Sequence, residues 1–162
     1  MEFNKPGPNK RVCAFFIDSV IGQVSGGIIS LVLAIDLSWM IWAIFILFKD
    51  CFNGQSAGKY LVGTQVVDEN NLPAKPSKTV IRNIFMIIPF FPLVEYVIML
   101  RDKGEGKRIG DKATRTKVND LKPHRKDEVF LLISVLLVIA LVAVQIGIVA
   151  LLMAMHPELI KR

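Results

Sequence analysis

The chain has 162 residues, of which 52% are hydrophobic, and its mean hydropathy is +0.48. One small soluble core cannot bury that much apolar surface, so the composition excludes an ordinary soluble domain and indicates an integral membrane protein. The formal net charge is +6, but the basic residues flank apolar segments and lack interleaved aromatic residues, which favours contact with anionic lipid over nucleic acid.

The N-terminal half begins with a polar tail and continues into a long apolar block. Residues 1–9 contain two prolines, and no cleavage-site pattern follows them, which predicts a cytoplasmic tail rather than a removable signal peptide. Residues 12–48 are apolar apart from Asp18, Asp36 and a weakly polar patch, and they are long enough for two closely connected crossings. Arg11 precedes the block, and Asp18 follows seven positions later on roughly the same helix face.

The turn between these two crossings has two possible positions. A break at residues 26–27, where two glycines follow Gln23 and Ser25, leaves Asp36 near the middle of the second helix. A break at residues 36–38 makes Asp36 a helix cap and buries Gln23 and Ser25 instead. We favour the break at the two glycines.

The third apolar segment, residues 80–100, contains two charged residues, Arg82 and Glu95, and two prolines. Because lysine and arginine in short loops mark the cytoplasmic side, a full crossing would place the most basic loop, residues 101–126, outside the cell. A helical hairpin that turns at residues 89–92, between the two prolines, returns the chain to the cytoplasm if protein covers its broken backbone. We therefore predict a re-entrant hairpin here.

The C-terminal part contains the clearest membrane segment of the chain. Residues 129–155 include no charged residue and exceed the ~20 residues that cross a bilayer. A basic linker at residues 121–128 precedes this segment, and a short tail at 156–162 follows it. We predict a transmembrane helix over 129–155.

Two stretches of the sequence, residues 54–68 and 106–120, repeat one pattern. They share five residues at equal spacing: Gly54, Gly58, Thr64, Val66 and Asp68 in the first, and Gly106, Gly110, Thr116, Val118 and Asp120 in the second. Lys59 stands in the first copy where Asp111 stands in the second. An apolar segment entered through a basic residue, Arg11 or Arg82, precedes each copy. Such repeats mark many transporter folds, and the opposite charges predict a pair between Lys59 and Asp111.

With Arg11 and Asp18 in the first helix, a glycine motif after the first hairpin and Asp111 in the second motif, the chain resembles the RDD family of prokaryotic membrane proteins over residues 9–119. That family is named for one arginine and two aspartates, which match Arg11, Asp18 and Asp111 here. The resemblance implies a transport role, which is generally supposed for the family, and in some members an exchange of sodium or potassium for protons. Two features depart from the family pattern: the first hairpin is compact, and the helix at 129–155 lies outside the usual core.

Several short motifs have a simpler explanation than catalysis or ligand binding. Ser56 lies in a Gly-x-Ser-x-Gly pattern, but a serine hydrolase needs a histidine in reach, and His124 and His156 lie in the basic linker and beyond the last helix. The same stretch is one residue too short for a phosphate-binding loop, and Tyr60 replaces the hydroxyl residue that would bind Mg²⁺. The two cysteines are lone thiols near helix ends on the predicted cytoplasmic side. We predict no enzymatic activity, cofactor, metal site or disulfide.

Six charged residues lie in or beside the apolar segments and form the candidate site: Arg11, Asp18, Lys59, Arg82, Glu95 and Asp111. A charge at the centre of a membrane helix costs about 2.5 to 3.5 kcal/mol on insertion scales, so such residues pair inside a bundle. One interpretation is a charge cluster that locks the two repeats together, with the motif glycines permitting tight turns. The other is that Asp18 and Asp111 bind a cation or relay a proton, with Arg11 or Lys59 as a competing internal cation.

These observations predict an all-α membrane protein with two parallel helical hairpins, the second re-entrant, each followed by a cytoplasmic glycine-rich motif, and a C-terminal transmembrane helix. The RDD-like membrane domain covers residues 10–120, and three of the four membrane-embedded elements of the chain span the bilayer. We expect a multi-pass protein of the inner membrane with a cytoplasmic N-terminus, contacts to membrane lipids and a homo-oligomeric state. The leading hypothesis is a small transporter coupled to a monovalent cation or a proton. The alternative is a non-catalytic scaffold or accessory subunit that docks a partner or organises lipid.

Overall fold

The computed structural model describes residues 3–33, 35–88, 90–102, 104, 106–122 and 127–155. The described chain is mostly helical, which confirms the helical part of the predicted fold class. Its elements, in chain order, are α1 (Pro8–Leu33), α2 (Ser38–Phe48), α3 (Ala57–Val62), β1 (Thr64–Asp68), α4 (Pro76–Asn83), α5 (Phe91–Arg101), α6 (Ile109–Thr114), β2 (Thr116–Asp120) and α7 (Asp127–Met155). A 3-10 turn at Ile84–Met86 extends α4.

The first apolar block forms one long helix and one short helix. α1 has 26 residues and is long and apolar enough to cross a membrane. It continues through residues 26–27, so the favoured turn at the two glycines is wrong. The chain turns between Leu33 and Ser38, which agrees with the position of the alternative turn, but the N-cap of α2 is Leu37 and not Asp36. The Asp36 side chain accepts a hydrogen bond from Ser38 N at 3.1 Å, at the start of α2.

The glycines of α1 serve helix packing instead of a turn. A Cβ atom on Gly26 would lie 2.7 Å from the carbonyl oxygen of Ser38, so the missing side chain lets α2 approach α1 closely. Gln23 and Ser25, which a turn at 36–38 is expected to bury, are half-buried.

The last helix, α7, packs along α1 and runs in the same direction. The Lys10 ammonium group lies 5.6 Å from the centre of the Phe130 ring, and the Cys13 thiol interacts with the Ser134 hydroxyl. Moving one turn along α1, from Lys10 to Cys13, therefore moves the contact one turn forward along α7, from Phe130 to Ser134, which shows that the helices are parallel. The helix begins two residues before the predicted segment 129–155, and the two helices therefore start on the same side of the protein.

Large apolar side chains cover the outer surface of the long helices. On α7 they include Leu132, Leu136, Ile139 and Ile146, each more than half exposed. Within the described residues, α1 by itself is long and apolar enough to cross a membrane, and residues 76–86 together with α5 are so if the bent pair counts as one span. Apolar surface of this extent suits contact with lipid chains.

The third apolar segment is broken near the two prolines, as predicted. Residues 76–86 and α5, which lie on either side of the break, are inclined by 109°. Pro89 lies outside the described residues, whereas Pro92 lies in the first turn of α5, where its missing N–H group costs no helical hydrogen bond. The bend fits both a broken span and a re-entrant loop, so the re-entrant hairpin stays a prediction.

A two-stranded antiparallel sheet joins the two glycine motifs, and the all-α prediction missed it. The register is symmetrical about its centre: Thr64 pairs with Asp120, Val66 with Val118, and Asp68 with Thr116. Each strand follows a short helix that ends at a residue in the left-handed conformation, Gly63 or Arg115. This conformation ends the helix and turns the chain into the strand. Equivalent positions of the two motifs are thus related by an approximate two-fold axis.

The N-terminal segment lies against β2. Asp120 N donates to Asn4 O at 2.8 Å, and Asn4 N donates to the Asn119 side chain at 2.7 Å. The Lys10 ammonium group lies 2.6 Å from the Asp120 carboxylate, and both side chains are buried. Because β2 also pairs with β1, the N-terminal segment and both glycine motifs lie on the same side of the protein.

Candidate functional site

The two glycine motifs have the same local structure. Gly54 and Gly106 have φ angles of +67° and +63°, shortly before α3 and α6. Each short helix then leads through a left-handed residue into its strand. The segments 54–68 and 106–120 are therefore structurally equivalent, while the wider repeat with its membrane hairpins stays a prediction.

Gly58 and Gly110 let the short helices touch longer ones. A Cβ atom on Gly58 would overlap the carbonyl oxygen of Ala14 in α1, and one on Gly110 would overlap that of Arg82 in α4. α3 therefore rests on α1 in the way that α6 rests on α4. Ala14 and Arg82 occupy equivalent places in the two halves.

The equivalence of Ala14 and Arg82 gives an alignment of α1 with α4 that differs from the one in the sequence analysis, which matched Arg11 with Arg82. α1 and α4 begin at Pro8 and Pro76, and each has a lysine two residues later. When the helices are aligned on these residues, Arg82 falls opposite Ala14. Arg82 is therefore not the structural counterpart of Arg11, although each precedes an apolar segment.

A buried carboxylate binds the amino end of each short helix. Asp18 Oδ1 accepts a hydrogen bond from Gly58 N at 2.7 Å, and Glu95 Oε1 accepts one from Gly110 N at 3.1 Å. Carboxylates are favoured there because the first N–H groups of a helix have no partner within the helix. Asp18 and Glu95 thus have equivalent roles, although one lies in α1 and the other in α5.

The second oxygen of Asp18 is also occupied. Ser56 Oγ donates to Asp18 Oδ2 at 2.7 Å, and Lys49 Nζ donates to the same oxygen at 2.9 Å. The Asp18 side chain has no exposed surface. Both oxygens are therefore committed to groups of the protein, which is the pattern of a structural carboxylate.

Lys59 and Asp111 are linked through two intermediate residues rather than paired with each other. Lys59 Nζ lies 2.5 Å from Asp50 Oδ1, and Arg82 Nη2 lies 3.7 Å from Asp50 Oδ2. Arg82 Nη1 lies 3.1 Å from Asp111 Oδ1. The predicted direct Lys59–Asp111 pair is therefore wrong: Lys59 pairs with Asp50, Asp111 pairs with Arg82, and the contact between Asp50 and Arg82 connects the two pairs.

The chain of charges continues beyond Asp111 to α1 and α5. Arg11 Nη1 lies 3.3 Å from Asp111 Oδ2 and donates to the carbonyl oxygen of Gly106 at 2.8 Å. Arg108 Nε lies 3.7 Å from Asp111 Oδ2, and Arg108 Nη1 lies 3.4 Å from Glu95 Oε2. The arginine and the second aspartate that motivated the sequence comparison are thus an ion pair.

We call this set of side chains the charge network: Arg11, Asp18, Lys49, Asp50, Lys59, Arg82, Glu95, Arg108 and Asp111. It contains five basic and four acidic side chains, so its formal charge is +1 when every member is ionised. The carboxylates are buried, and buried charges are stable only when paired and hydrogen-bonded. The network therefore joins α1, α4, α5 and both glycine motifs.

Burial and neighbouring charges perturb the ionisation of the groups outside the long helices. Burial lowers the pKa of Lys59 to about 7, although Asp50 acts in the opposite direction. Burial also opposes ionisation of Asp50 and Asp111, but adjacent cations prevail: Lys59 and Arg82 hold the pKa of Asp50 below its usual range, and Arg82 and Arg108 hold that of Asp111 at about 2. Of the two groups in this pair, Lys59 is therefore the one whose charge depends on pH near neutrality, while the Asp50 carboxylate stays ionised.

The structure brings together all six side chains that the sequence singled out, and adds three to them: Lys49, Asp50 and Arg108. A signal for Lys49 and Asp50 exists in the sequence. The spacing of 52 residues that relates Gly54 to Gly106 also relates the Lys-Asp pair at 49–50 to an Arg-Asp pair at 101–102. Extending the repeat by five residues toward the N-terminus would therefore have found both.

Ser56 has a structural contact in place of a catalytic one. Its hydroxyl group donates to Asp18 and accepts from Lys59 N at 3.2 Å, as the N-cap of α3. Its strand, β1, follows α3 instead of preceding it. Both histidines lie outside the described residues.

These features define a helical membrane protein whose two glycine motifs and first helix are joined by buried ion pairs. The chain matches the family model of the RDD family over residues 5–115 and belongs to that family. The match confirms the resemblance that Arg11, Asp18 and Asp111 indicated. No match was found among curated proteins or among solved structures.

Proposed function

We propose that this RDD-family protein is a small transporter of the inner membrane that exchanges a proton for a monovalent cation at the Lys59–Asp50 pair. The observation that carries the proposal is this buried ion pair, with 2.5 Å between Lys59 Nζ and Asp50 Oδ1. A lysine in contact with a carboxylate occupies the place that a bound cation would take. Its low pKa lets it leave as a neutral amine near neutral pH.

The exchange conserves charge at the site. In one state Lys59 carries its proton and balances Asp50. In the other state Lys59 has released the proton to solvent, and a monovalent cation binds Asp50 in its place. Asn83, whose side-chain nitrogen lies 3.1 Å from Asp50 Oδ2, and Arg82 hold the carboxylate in position during the exchange.

This proposal moves the exchange site away from the acids that the sequence favoured. Asp18 uses both oxygens to bind α3 and Lys49, and Asp111 faces three guanidinium groups. A cation at either carboxylate would have to displace several partners. The closest partner of Asp50 is a single lysine, Lys59, so a cation can bind Asp50 with a smaller rearrangement of side chains than at Asp18 or Asp111.

The topology belongs to the same proposal: a cytoplasmic N-terminus, cytoplasmic glycine motifs and a last helix that ends on the opposite side. Support comes from the pairing of Asn4 with Asp120 and of β1 with β2, which keeps these segments together, and from the parallel packing of α7 on α1. We also propose a homo-oligomer without enzymatic activity. So few helices enclose little pathway, and their outer faces are apolar.

Flux measurements in liposomes test the transport proposal. Purified protein should dissipate an imposed pH gradient when sodium or potassium is added, and the rate should change most steeply near pH 7, where Lys59 titrates. Asp50→Asn and Lys59→Met should abolish this flux. Lys112→Met is the matched control, because Lys112 is a half-exposed lysine at the protein surface.

Two results would contradict the proposal. One is wild-type flux in folded Asp50→Asn protein. The other, which needs no variant, is a cation-dependent flux of the unmodified protein that does not vary between pH 6 and 8.

A second candidate function is a non-catalytic scaffold that docks a partner or organises lipid. The observation that favours it is the exposed apolar surface in and just before the first glycine motif, where Phe52, Tyr60 and Leu61 are 86%, 70% and 57% exposed. A scaffold needs the charge network only for assembly. It predicts no cation-dependent flux, together with loss of folding in Asp18→Asn.

A further inference from the structure

A small cavity lies inside the charge network. Its volume is about 20 Å³, and the basic side chains of the network line it: Arg11, Lys49, Lys59, Arg82 and Arg108. Thr64 and Asn83 supply further polar groups of the wall. Among the described residues, no carboxylate contributes to the lining.

Unpaired hydrogen-bond donors of the residues that line this cavity outnumber their unpaired acceptors, among which the described residues supply Asn83 Oδ1. Arg82 is 1% exposed, and none of its three side-chain nitrogens makes a hydrogen bond within the described protein. Arg82 Nη1 lies 3.1 Å from Asp111 Oδ1, but the hydrogen-bond geometry is not met, so this contact is an ion pair only. Arg11 Nε and Nη2, Arg108 Nε and Thr64 Oγ1 are likewise buried without a hydrogen-bond partner among the described residues.

A water molecule cannot satisfy this wall. It accepts at most about two hydrogen bonds, whereas three guanidinium groups and one hydroxyl group offer unpaired donors. Buried donors without acceptors are costly, and the network also carries one excess positive charge when every member, Lys59 included, is ionised. One bound anion would supply both the missing hydrogen-bond acceptors and the missing negative charge.

We infer that this cavity is a binding site for a single monatomic anion of the size of chloride. The size follows from the volume, because about 20 Å³ exceeds the ~10–15 Å³ that one water-sized occupant needs but leaves no room for phosphate or sulfate. The anion would accept hydrogen bonds from Arg11, Arg82 and Thr64 and would bring the formal charge of the network to zero. The inference goes beyond the transport proposal and does not depend on it.

The test compares anions at constant ionic strength. Purified protein in detergent should unfold at a higher temperature in sodium chloride than in sodium gluconate, since gluconate is too large for the cavity. The difference should grow with chloride concentration, and bromide should replace chloride. Equal unfolding temperatures in chloride, bromide and gluconate would overturn the inference.

A matched pair of threonine variants places the site. Thr64→Val removes a donor from the cavity wall, and we expect chloride affinity in calorimetric titration to fall roughly tenfold or more, because hydrogen bonds to charged groups are the stronger class. Thr116→Val alters the equivalent residue of β2, whose hydroxyl bonds to Thr114 outside the cavity wall, and should leave the affinity within about twofold of wild type. Equal losses in both variants would show that chloride acts elsewhere. These measurements use no ion gradient, so the transport proposal can fail without affecting them.

Discussion

The contact between Gly58 and α1 allows a stability prediction with a defined magnitude. Gly58 does not adopt a positive φ, so alanine fits its backbone conformation without strain. The added methyl group, however, would overlap the carbonyl oxygen of Ala14 and come within 2.9 Å of Asp18 Oδ1. Both neighbours are buried, and one of them is main chain. The substitution Gly58→Ala must therefore push α3 away from α1.

The cost of this displacement has two parts. Overpacking of a buried contact costs about 1 to 3 kcal/mol. Moving α3 also lengthens the 2.7 Å hydrogen bond from Gly58 N to Asp18, and a hydrogen bond to a charged group contributes about 1.5 to 3 kcal/mol. We expect Gly58→Ala to lower the free energy of unfolding by about 3 to 5 kcal/mol.

Reversible unfolding in detergent micelles, followed by circular dichroism, measures this change. Gly147→Ala in α7 is the matched control, because, apart from the neighbouring stretch of its own helix, none of the described residues has a heavy atom within 4 Å of the position of the added methyl group. That variant should be neutral or slightly stabilising, since alanine favours helix over glycine. A Gly58→Ala protein within about 1 kcal/mol of wild type would refute the packing argument.

Two further predictions concern ionisation and topology. Lys59 has a pKa of about 7 in the folded protein and 10.5 as its ordinary value, so the unfolded state binds more protons between these values. The free energy of unfolding should therefore rise with pH in this range, by up to about 1.4 kcal/mol per pH unit, and Lys59→Met should remove the rise. An unchanged slope in the variant would show that another group titrates. Reporter fusions after Asp68 and Asp120 should both report the cytoplasm, and one after Arg162 the outside; an outside signal after Asp120 contradicts the re-entrant hairpin.

The sequence predicted the helices and the membership of the candidate site better than the details of either. Long apolar runs predict helices because backbone groups in a membrane must be satisfied within the segment, and α1 and α7 follow this rule. The six predicted charges meet because a charge buried in such a protein needs a partner. Neither argument required a knowledge of tertiary structure.

The turn of the first hairpin was mispredicted because glycine has two uses in helices. The glycines at 26–27 could end a helix or admit a neighbouring one, and the second use requires knowing that Ser38 packs there. The strands were missed for a related reason. Each strand has five residues, and its partner strand lies 52 positions away in the sequence, so the local pattern is too weak to predict a strand. The sheet forms because α3 and α6 place the two segments side by side.

The opposite charges at positions 59 and 111 have a physical explanation in this symmetry. The two motifs meet around an approximate two-fold axis, with Asp50 and Arg82 between them at 3.7 Å. A lysine at 59 faces Asp50, and an aspartate at 111 faces Arg82, so charge alternates from Lys59 to Arg11 without interruption. If both copies carried lysine, position 111 would place a third cation against Arg82. If both carried aspartate, position 59 would set two buried carboxylates against each other. Two motifs with the same charge at this position could not keep the alternation of charges across the axis. The difference between Lys59 and Asp111 allows every charge along the chain from Lys59 to Arg11 to contact an opposite one.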